Sequence, residues 1–286
     1  MVVSVMSGIV VLIVLSGAVL HAGWNALVKA STDKQLDMML VMAGAAVLAM
    51  PFLPFLPAPA QESWKFLALS GVIHLGYFTA VAAAYQAGEM THVYPLMRGT
   101  APLLVALGSF AILGEAMGLW GWAGVLMISG GVVAIATLRG GRELPSRRAT
   151  AIALGNALVI AGYTYSDGIG ARLSGNSLSY TMWVFLAQAI LPCGWMLATR
   201  PAALAHGLRT RWHIALIGGA CTLGSYGCAI WAMTQAPLAL VAALRESSIL
   251  FAMLIGMIFL GERIGWGRAV AGLAIIGGII TLRITP

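Results

Sequence analysis

The feature that most constrains this chain is an apolar stretch that occurs twice and carries an arginine each time. Residues Met97–Glu115 (MRGTAPLLVALGSFAILGE) recur as Leu244–Glu262 (LRESSILFAMLIGMIFLGE), and both copies end in Leu-Gly-Glu. Stretches this apolar are typical of membrane-spanning helices. An arginine at the centre of such a helix costs roughly 2.5–3.5 kcal/mol on insertion scales. The same cost at two equivalent positions indicates a function, although each arginine could instead extend its head group to the membrane surface.

Composition places the chain among all-α, polytopic membrane proteins. Of its 286 residues, 60% are hydrophobic and 9% are charged, whereas soluble domains carry about 25% charged residues. The net charge of +7 does not indicate a nucleic-acid partner, because basic residues of membrane proteins gather in cytoplasmic loops. The three cysteines lie in apolar segments without metal-ligand spacing, so we expect neither a metal nor another cofactor. The apolar start of the chain is interpreted as a first spanning helix and not as a removed signal peptide.

Hydropathy predicts ten spanning segments, each near the ~20 residues that cross a bilayer. They are residues 3–28, 36–56, 63–86, 92–113, 119–138, 149–171, 178–198, 212–234, 238–260 and 266–284. The longest polar stretch, Arg139–Arg148, lies at the midpoint and contains Gly and Pro, which break helices. We therefore predict a first five-helix repeat over 1–142, a cytoplasmic linker over 143–148 and a second five-helix repeat over 149–286.

Further matches relate the two halves. The pair Leu75-Gly76 corresponds to Leu223-Gly224, and the glycine pair Gly130-Gly131 corresponds to Gly277-Gly278. Small residues let helices approach closely in lipid. Because five is an odd number, the second half must enter the membrane from the opposite side, which predicts an inverted repeat.

Loop charges predict the orientation. With both termini outside, eleven basic residues fall in inward loops: Lys29, Lys34, Arg139, Arg142, Arg147, Arg148, Arg200, Arg209, Arg211, Arg263 and Arg268. Three fall outside: Lys65, Arg172 and Arg283. Since cytoplasmic loops are rich in Lys and Arg, both termini are predicted to lie outside.

Two five-helix halves, each with Arg followed by Leu-Gly-Glu in its fourth helix and paired glycines in its fifth, resemble the drug/metabolite transporter superfamily. The EamA-type branch, which includes YddG-like amino-acid exporters, is the most similar. The resemblance covers nearly the whole chain and implies a ten-helix inverted repeat around a central cavity with alternating access. The run from His21 to Lys29 is also similar to family members, but the sixth helix has Tyr163 and Asp167 instead of a copy of it.

Candidate solute-binding residues are the polar and aromatic side chains of the predicted spans, since such groups gather around a cavity and not toward lipid. They are His21, Trp24, Asn25, His74, Tyr77, Tyr94, Arg98, Tyr163, Asp167, Arg245, Glu246 and Ser248. Arginine suits a carboxylate and aromatic rings suit an apolar or cationic portion. The tyrosines and Trp24 could instead form an interfacial belt, the histidines could be packing residues, and Asp167 could be solvated near the outer boundary.

The helix-end acids and the two arginines carry more specific expectations. Glu115 and Glu262 follow helix C-termini, where the dipole disfavours an anion, so we expect a gate or a loop hydrogen bond there. Arg98 and Arg245 are expected near the two mouths of one cavity, and alanine variants of either are expected to fold but to lose carboxylate transport. In the competing interpretation each arginine is structural, bonded to helix-end carbonyls or to an acid such as Glu246. Cysteines placed at Tyr94 and Ser248 should be water-accessible.

Among functions, the sequence favours a secondary transporter of small metabolites, most consistent with export of amino acids or similar carboxylate-bearing solutes. Cationic amines or drugs are the alternative substrates. An intramembrane enzyme is disfavoured, since neither HExxH nor GxSxG nor a Cys/His constellation is present, and no repeated charged filter supports a channel. The expected location is a bacterial inner membrane, multi-pass, as a monomer or weak homodimer whose partners are solute and lipid.

Overall fold

The structure, a computed structural model, describes residues 6–29, 31, 33–137, 146–260 and 265–284. Regular structure in these ranges is helical, as the sequence predicts. The helices are α1 (Gly8–Lys29), α2 (Lys34–Ala49), α3 (Trp64–Ala87), α4 (Met90–Leu113), α5 (Leu119–Thr137), α6 (Arg147–Leu173), α7 (Ser177–Thr199), α8 (Pro201–Thr210), α9 (Trp212–Gln235), α10 (Leu238–Arg245), α11 (Ser248–Leu260) and α12 (Trp266–Ile284). Two short 3₁₀ turns, Met50–Phe55 and Gln61–Ser63, lie between α2 and α3.

Helices cover each of the ten predicted segments, but not all of them qualify as spans on length and hydropathy. Within the described ranges, eight helical stretches are long and apolar enough to cross a bilayer, and Leu119–Ile135 is a shorter apolar helix. The long helix α6 is not among them; it carries the polar residues Asn156, Thr164 and Asp167, all of which are buried. Large apolar side chains such as Phe259 and Trp266 are strongly exposed, as expected for a surface in contact with lipid. That all ten segments span the membrane stays a prediction.

The contacts between helices follow the internal repeat: when two helices pack on each other, their counterparts in the other half do so as well. Helix α6 packs on α3 and α4, and its counterpart α1 packs on α9 and on α10 and α11. The counterparts α2 and α7 contact each other, as do α5 and α12. This pairing is consistent with an internal repeat. The inverted orientation of the second half, and the boundaries at 142 and 148, stay predictions, and residues 143–145 of the linker lie outside the described ranges.

Glycines permit the closest helix contacts. A Cβ atom on Gly131 of α5 would lie 2.8 Å from the carbonyl oxygen of Ala271 on α12, and one on Gly278 would lie 2.8 Å from that of Gly124. The neighbouring Gly130 has nothing within 4 Å of such an atom. One member of each glycine pair therefore sets the α5–α12 distance, in agreement with the expectation that small residues bring these helices together.

The ninth predicted segment is not one continuous helix. It divides into α10 and α11 at Glu246–Ser247, where the N–H of Ser247 donates to Leu244 and that of Ile249 donates to Glu246. These are bonds to the third preceding residue, which tighten the backbone into a 3₁₀ turn, and such turns inside helices often mark functional hinges. The predicted segment 238–260 remains long and apolar enough to span a bilayer over Leu238–Phe259, and neither Gly nor Pro in the sequence marks the turn inside it.

A left-handed glycine ends α4. Gly114 has φ +64° and ψ +18°, a backbone region that glycine enters without steric cost. Glu115 therefore follows directly after the end of the helix. The Gly-Glu pair of the repeated stretch is therefore a helix stop followed by a carboxylate. Its second copy, Gly261 and Glu262, lies outside the described residues.

Candidate functional site

The centre of the helix bundle holds a buried ion pair between the two halves. Arg98 of α4 donates from Nη2 to Oε1 of Glu246 at 2.9 Å and from Nε to Oε2 at 3.0 Å. Both residues are 4% exposed. A two-point guanidinium–carboxylate contact of this kind has fixed geometry and is strong where water is excluded. The pairing with Glu246 is the contact that the structural interpretation of Arg98 names, and a role of Arg98 in solute binding stays a prediction.

Arg245 has a different environment. Its Cζ lies 5.1 Å from the centroid of the Tyr226 ring on α9, a cation–π contact. Among the described residues it forms no salt bridge, and it is half-buried. Adjacent positions on a helix do not point the same way, and Arg245 and Glu246 indeed contact different helices.

Two small cavities lie beside both arginines. Each has a volume of about 10 Å³, close to the room that one water occupies. One is lined by Arg98, Pro102, Thr164, Arg245 and Glu246, together with apolar residues. The other is lined by His21, Arg98, Ser225 and Arg245, together with small and apolar residues. Both arginines thus border the same two spaces, and their placement near the two mouths of one cavity stays a prediction.

Proline shapes the α4 side of the first cavity. Pro102 lies four residues after Arg98 and has no N–H, so the Arg98 carbonyl lacks its helical donor. The Arg98 carbonyl thus lies next to a cavity, without a helical hydrogen bond, in an otherwise apolar helix. Neither Pro102 nor Thr164 is a residue that the sequence analysis selected, although a proline inside a spanning segment is a signal for such a site.

The three candidates of α1, His21, Trp24 and Asn25, form hydrogen bonds with one another. The indole Nε1 of Trp24 donates to Nδ1 of His21 at 3.3 Å. The side-chain amide of Asn25 donates to the carbonyl of His21 at 2.8 Å, so its donor is used within the helix. Of the three, His21 alone lines the second cavity.

An aromatic cluster joins α3 to α6 and α9. The His74 ring lies 4.4 Å from that of Tyr163, and the Tyr77 ring lies 5.8 Å from that of Tyr163. Nδ1 of His74 is 2.9 Å from the Ser70 carbonyl oxygen, so this histidine is satisfied by its own helix. Tyr163 also contacts the ring of Tyr226, and the cluster thus continues to the residue that carries Arg245.

Asp167 is not solvated at the outer boundary. It is 0% exposed and accepts a hydrogen bond from the hydroxyl of Tyr226 and a longer one, 3.4 Å, from that of Tyr180. Sequence reasoning missed both tyrosines as its partners, since periodicity assigns a residue to a face but not to a neighbour on another helix.

Two further candidates lie close to the arginines along the chain. Tyr94 is half-buried one helical turn before Arg98, and Ser248 is buried as the first residue of α11. Neither lines the two cavities. Their accessibility stays a prediction.

One end of the bundle is joined by a network around Glu115. Its Oε1 lies 2.6 Å from Nη1 of Arg172, at the end of α6, and its Oε2 accepts from the N–H of Leu238, the first residue of α10. Arg172 also donates to the carbonyls of Met233 and Ala236. The expected loop hydrogen bond of Glu115 is confirmed, and it links the first half of the chain to the second.

The opposite end has its own ion pairs. Arg200 contacts Asp33 at 2.8 Å and Arg211 contacts Asp37 at 2.9 Å, which join the start of α2 to the ends of α7 and α8. Asp33 also caps α2, because its Oδ1 accepts from the N–H of Leu36. That hydrogen bond, followed by the contact with Arg200, holds the pKa of Asp33 below its ordinary value. Charged contacts thus close both ends around the central arginines.

Comparisons with known proteins agree on the architecture. A solved structure titled "Crystal structure of protein" superimposes with a TM-score of 0.73 at 19% sequence identity, over 95% of this chain and 95% of that chain. An identity this low supports the fold alone. Curated protein sequences gave no match.

The family comparison covers nearly the whole chain. The profile of the EamA-like transporter family matches residues 8–137 and again residues 148–284. Its two matches include Arg98 and Arg245, one in each. The chain therefore belongs to the EamA-like transporter family, whose members are membrane transporters of small solutes and not enzymes.

Proposed function

We propose that the protein exports amino acids or similar carboxylate-bearing solutes across a bacterial inner membrane by alternating access. In this proposal ten spanning helices form two inverted five-helix repeats, 1–142 and 149–286, joined by the cytoplasmic linker 143–148, with both termini outside. The functional unit is a monomer or weak homodimer. The solute passes the centre of the bundle, where Arg98, Arg245 and His21 border the described cavities.

The observation that carries the proposal is the contrast between the two arginines. Arg98 is neutralised by Glu246, whereas Arg245 has no salt-bridge partner among the described residues and contacts an aromatic ring. A guanidinium held in place beside a cavity is suited to bind a carboxylate with two hydrogen bonds. Arg245 is therefore the solute-binding arginine, and Arg98 holds the two halves together.

The pattern of polar contacts also fits alternating access. Glu115 with Arg172 joins the halves at one end, and Asp33 with Arg200 joins them at the other. Between them lie cavities of about 10 Å³, which are too small for an amino acid. Exposure of the centre to one side thus requires only one set of end contacts to separate, as in rocking of one half against the other. The 3₁₀ turn at Glu246 gives α10 and α11 a hinge at the site itself.

Three related solutes test the carboxylate assignment in proteoliposomes, with flux through protein-free liposomes subtracted. Threonine carries both charges, 3-hydroxybutyrate lacks the amino group, and 1-amino-2-propanol lacks the carboxylate. We expect the wild-type protein to transport the first two. Because a hydrogen bond to a charged group contributes about 1.5–3 kcal/mol, Arg245→Ala should lower their transport roughly 10- to 100-fold, and Arg245→Lys less.

Arg209→Ala is the matched control, since Arg209 is an exposed arginine of α8. This variant should match the wild type for each of the three solutes, so threonine and 3-hydroxybutyrate should be transported at the wild-type rate. If 1-amino-2-propanol is transported and neither threonine nor 3-hydroxybutyrate is, the result favours the cationic-amine alternative and contradicts the proposal. A well-folded Arg245→Ala variant with unchanged carboxylate flux would contradict the role of Arg245.

A further inference from the structure

We propose that Asp167 is a proton-binding site of the transport cycle, so that a monoanionic solute moves together with one proton and a zwitterionic solute moves with none. The inference rests on the proposed function, because it assumes that carboxylate-bearing solutes bind at Arg245. It adds a coupled ion to that function and names the side chain that takes it.

The first argument is the environment of the Asp167 carboxyl group. Four carboxylates elsewhere in the described chain pair with arginine: Asp33, Asp37, Glu115 and Glu246. Asp167 is completely buried and forms no salt bridge with a described residue. Its hydrogen bonds come from neutral tyrosine hydroxyls. A carboxyl group inside a membrane protein, removed from water and without a paired cation, is the kind of group that serves in proton transfer.

The second argument is its connection to the solute arginine. Tyr226 donates its hydroxyl to Asp167 and lies with its ring against the guanidinium of Arg245, 5.1 Å from Cζ to the ring centroid. The groups that face Asp167 from the neighbouring helices are Ser70 of α3, Tyr180 of α7, Tyr226 of α9 and, at longer range, Arg245 of α10. Ser70 in turn contacts His74 and Gln188. The rigid side chain of Tyr226 therefore links Asp167 to the solute arginine, Arg245.

The third argument is charge balance. Arg98 and Glu246 cancel, and Arg245 and an ionised Asp167 cancel as well, so the buried cluster is neutral before solute enters. A monoanion would then leave one unbalanced negative charge away from water, which is expensive. Uptake of a proton by Asp167 restores neutrality. A zwitterionic amino acid brings no net charge and needs no proton.

The chemical step is a simple protonation. A proton from water bonds to one carboxylate oxygen of Asp167, and release to water on the other side breaks the same O–H bond. The hydroxyl of Tyr226 donates only weakly to the protonated, neutral Asp167, so the contact between these two residues weakens. The positive charge of Arg245 then becomes available to the solute. Proton binding and anion binding thus favour each other.

The test measures charge movement on solid-supported membranes with the full-length protein. Passive leak of a weak acid carries no current, so it does not interfere. In the wild type, gradients of 3-hydroxybutyrate and of threonine should both drive flux without net current, because the anion moves with a proton. In Asp167→Asn the anion should move alone and give a current of negative charge in the direction of flux, while threonine stays silent. Asp167→Glu should restore current-free transport.

Ser166→Ala is the matched control, because Ser166 is the buried neighbour whose hydroxyl donates to the Phe66 carbonyl across the same α3–α6 contact. It should behave as the wild type. A current from wild-type anion transport, or rejection of the anion with threonine flux intact, would overturn the inference even if Asp167→Asn failed to fold. Current-free anion flux in Asp167→Asn would overturn it too. Absence of wild-type flux for both solutes would instead refute the proposed function.

Discussion

Arg98 and Glu246 form a buried two-point salt bridge that connects the first half of the chain to the second, with contacts of 2.9 and 3.0 Å. The repeat makes Arg245 the counterpart of Arg98, and the same offset makes Gly99 the counterpart of Glu246. Arg245 therefore has no mirrored carboxylate to pair with. The glycine at position 99, opposite the glutamate at position 246, is thus matched by different contacts of the two equivalent arginines.

This asymmetry predicts that Arg98 is needed for stability. Arg98→Ala leaves Glu246 buried without its partner, and breaking a buried pair in this way costs about 3–5 kcal/mol. We expect a large loss of thermal stability in detergent and low recovery from the membrane, contrary to the sequence-based expectation that this variant folds. The double variant Arg98→Met with Glu246→Leu should regain most of the stability. An Arg98→Ala protein as stable as Arg245→Ala would contradict the structural role.

The network around Glu115 predicts control of access from its end of the bundle. Glu115→Gln removes the charge that holds Arg172 and weakens the bond from the Leu238 N–H, so the halves should separate there more often. In a protein whose native cysteines are replaced, a cysteine at cavity residue Ala242 should react several-fold faster with an impermeant thiol reagent.

The control is Glu62→Gln, since Glu62 is an exposed acid between α2 and α3. It should leave the labelling rate at position 242 unchanged. An equal increase in both variants would show that surface charge, and not the Glu115 network, sets the rate.

Asp33 predicts a pH dependence. Its folded-state pKa is lowered, first by the hydrogen bond from the Leu36 N–H and then by Arg200, so its contribution to stability is full above the unfolded pKa of about 3.9 and is lost as the pH falls through the lower folded-state value. Asp33→Ala removes a helix cap and should cost about 0.5–2 kcal/mol at pH 7. Unfolding midpoints of wild type and variant should converge as the pH falls below about 3.9. A difference that persists at pH 2 would show that the cap acts without its charge.

The glycine pairs predict which member of each sets the helix packing. Gly131→Ala and Gly278→Ala place a methyl group within 2.8 Å of a backbone oxygen on the partner helix, so α5 and α12 must move apart, at a cost of about 1–3 kcal/mol. Gly130→Ala meets open space and should be neutral or stabilising, because alanine favours helix more than glycine does. Thermal unfolding in detergent distinguishes them. Equal effects of Gly130→Ala and Gly131→Ala would contradict the packing.

Sequence patterns predicted the helices better than the site. Apolar length predicted ten segments that helices cover, and the cost of charge in a membrane selected Arg98, Arg245 and Glu246 as candidates, because both signals are local. The partners of these residues come from helices distant in the chain, so Tyr226 was not selected and Asp167 could not be separated from a solvated acid. The 3₁₀ turn at Glu246 was missed because neither Gly nor Pro stands at that point of the sequence to signal it.

Topology is the prediction that most directly tests the inverted repeat. Eleven basic residues in one set of loops against three in the other place the linker in the cytoplasm and both termini outside. Green fluorescent protein fused after Arg142 should fluoresce, and alkaline phosphatase fused after Pro286 should be active; both residues lie outside the described ranges. Fusions after Gly175, between α6 and α7, and after Thr210, at the end of α8, should report outside and inside respectively. Because five predicted spans separate Arg142 from Pro286, reporters on the same side at these two points would mean that the second half has an even number of spans. The two halves could not then be inverted copies.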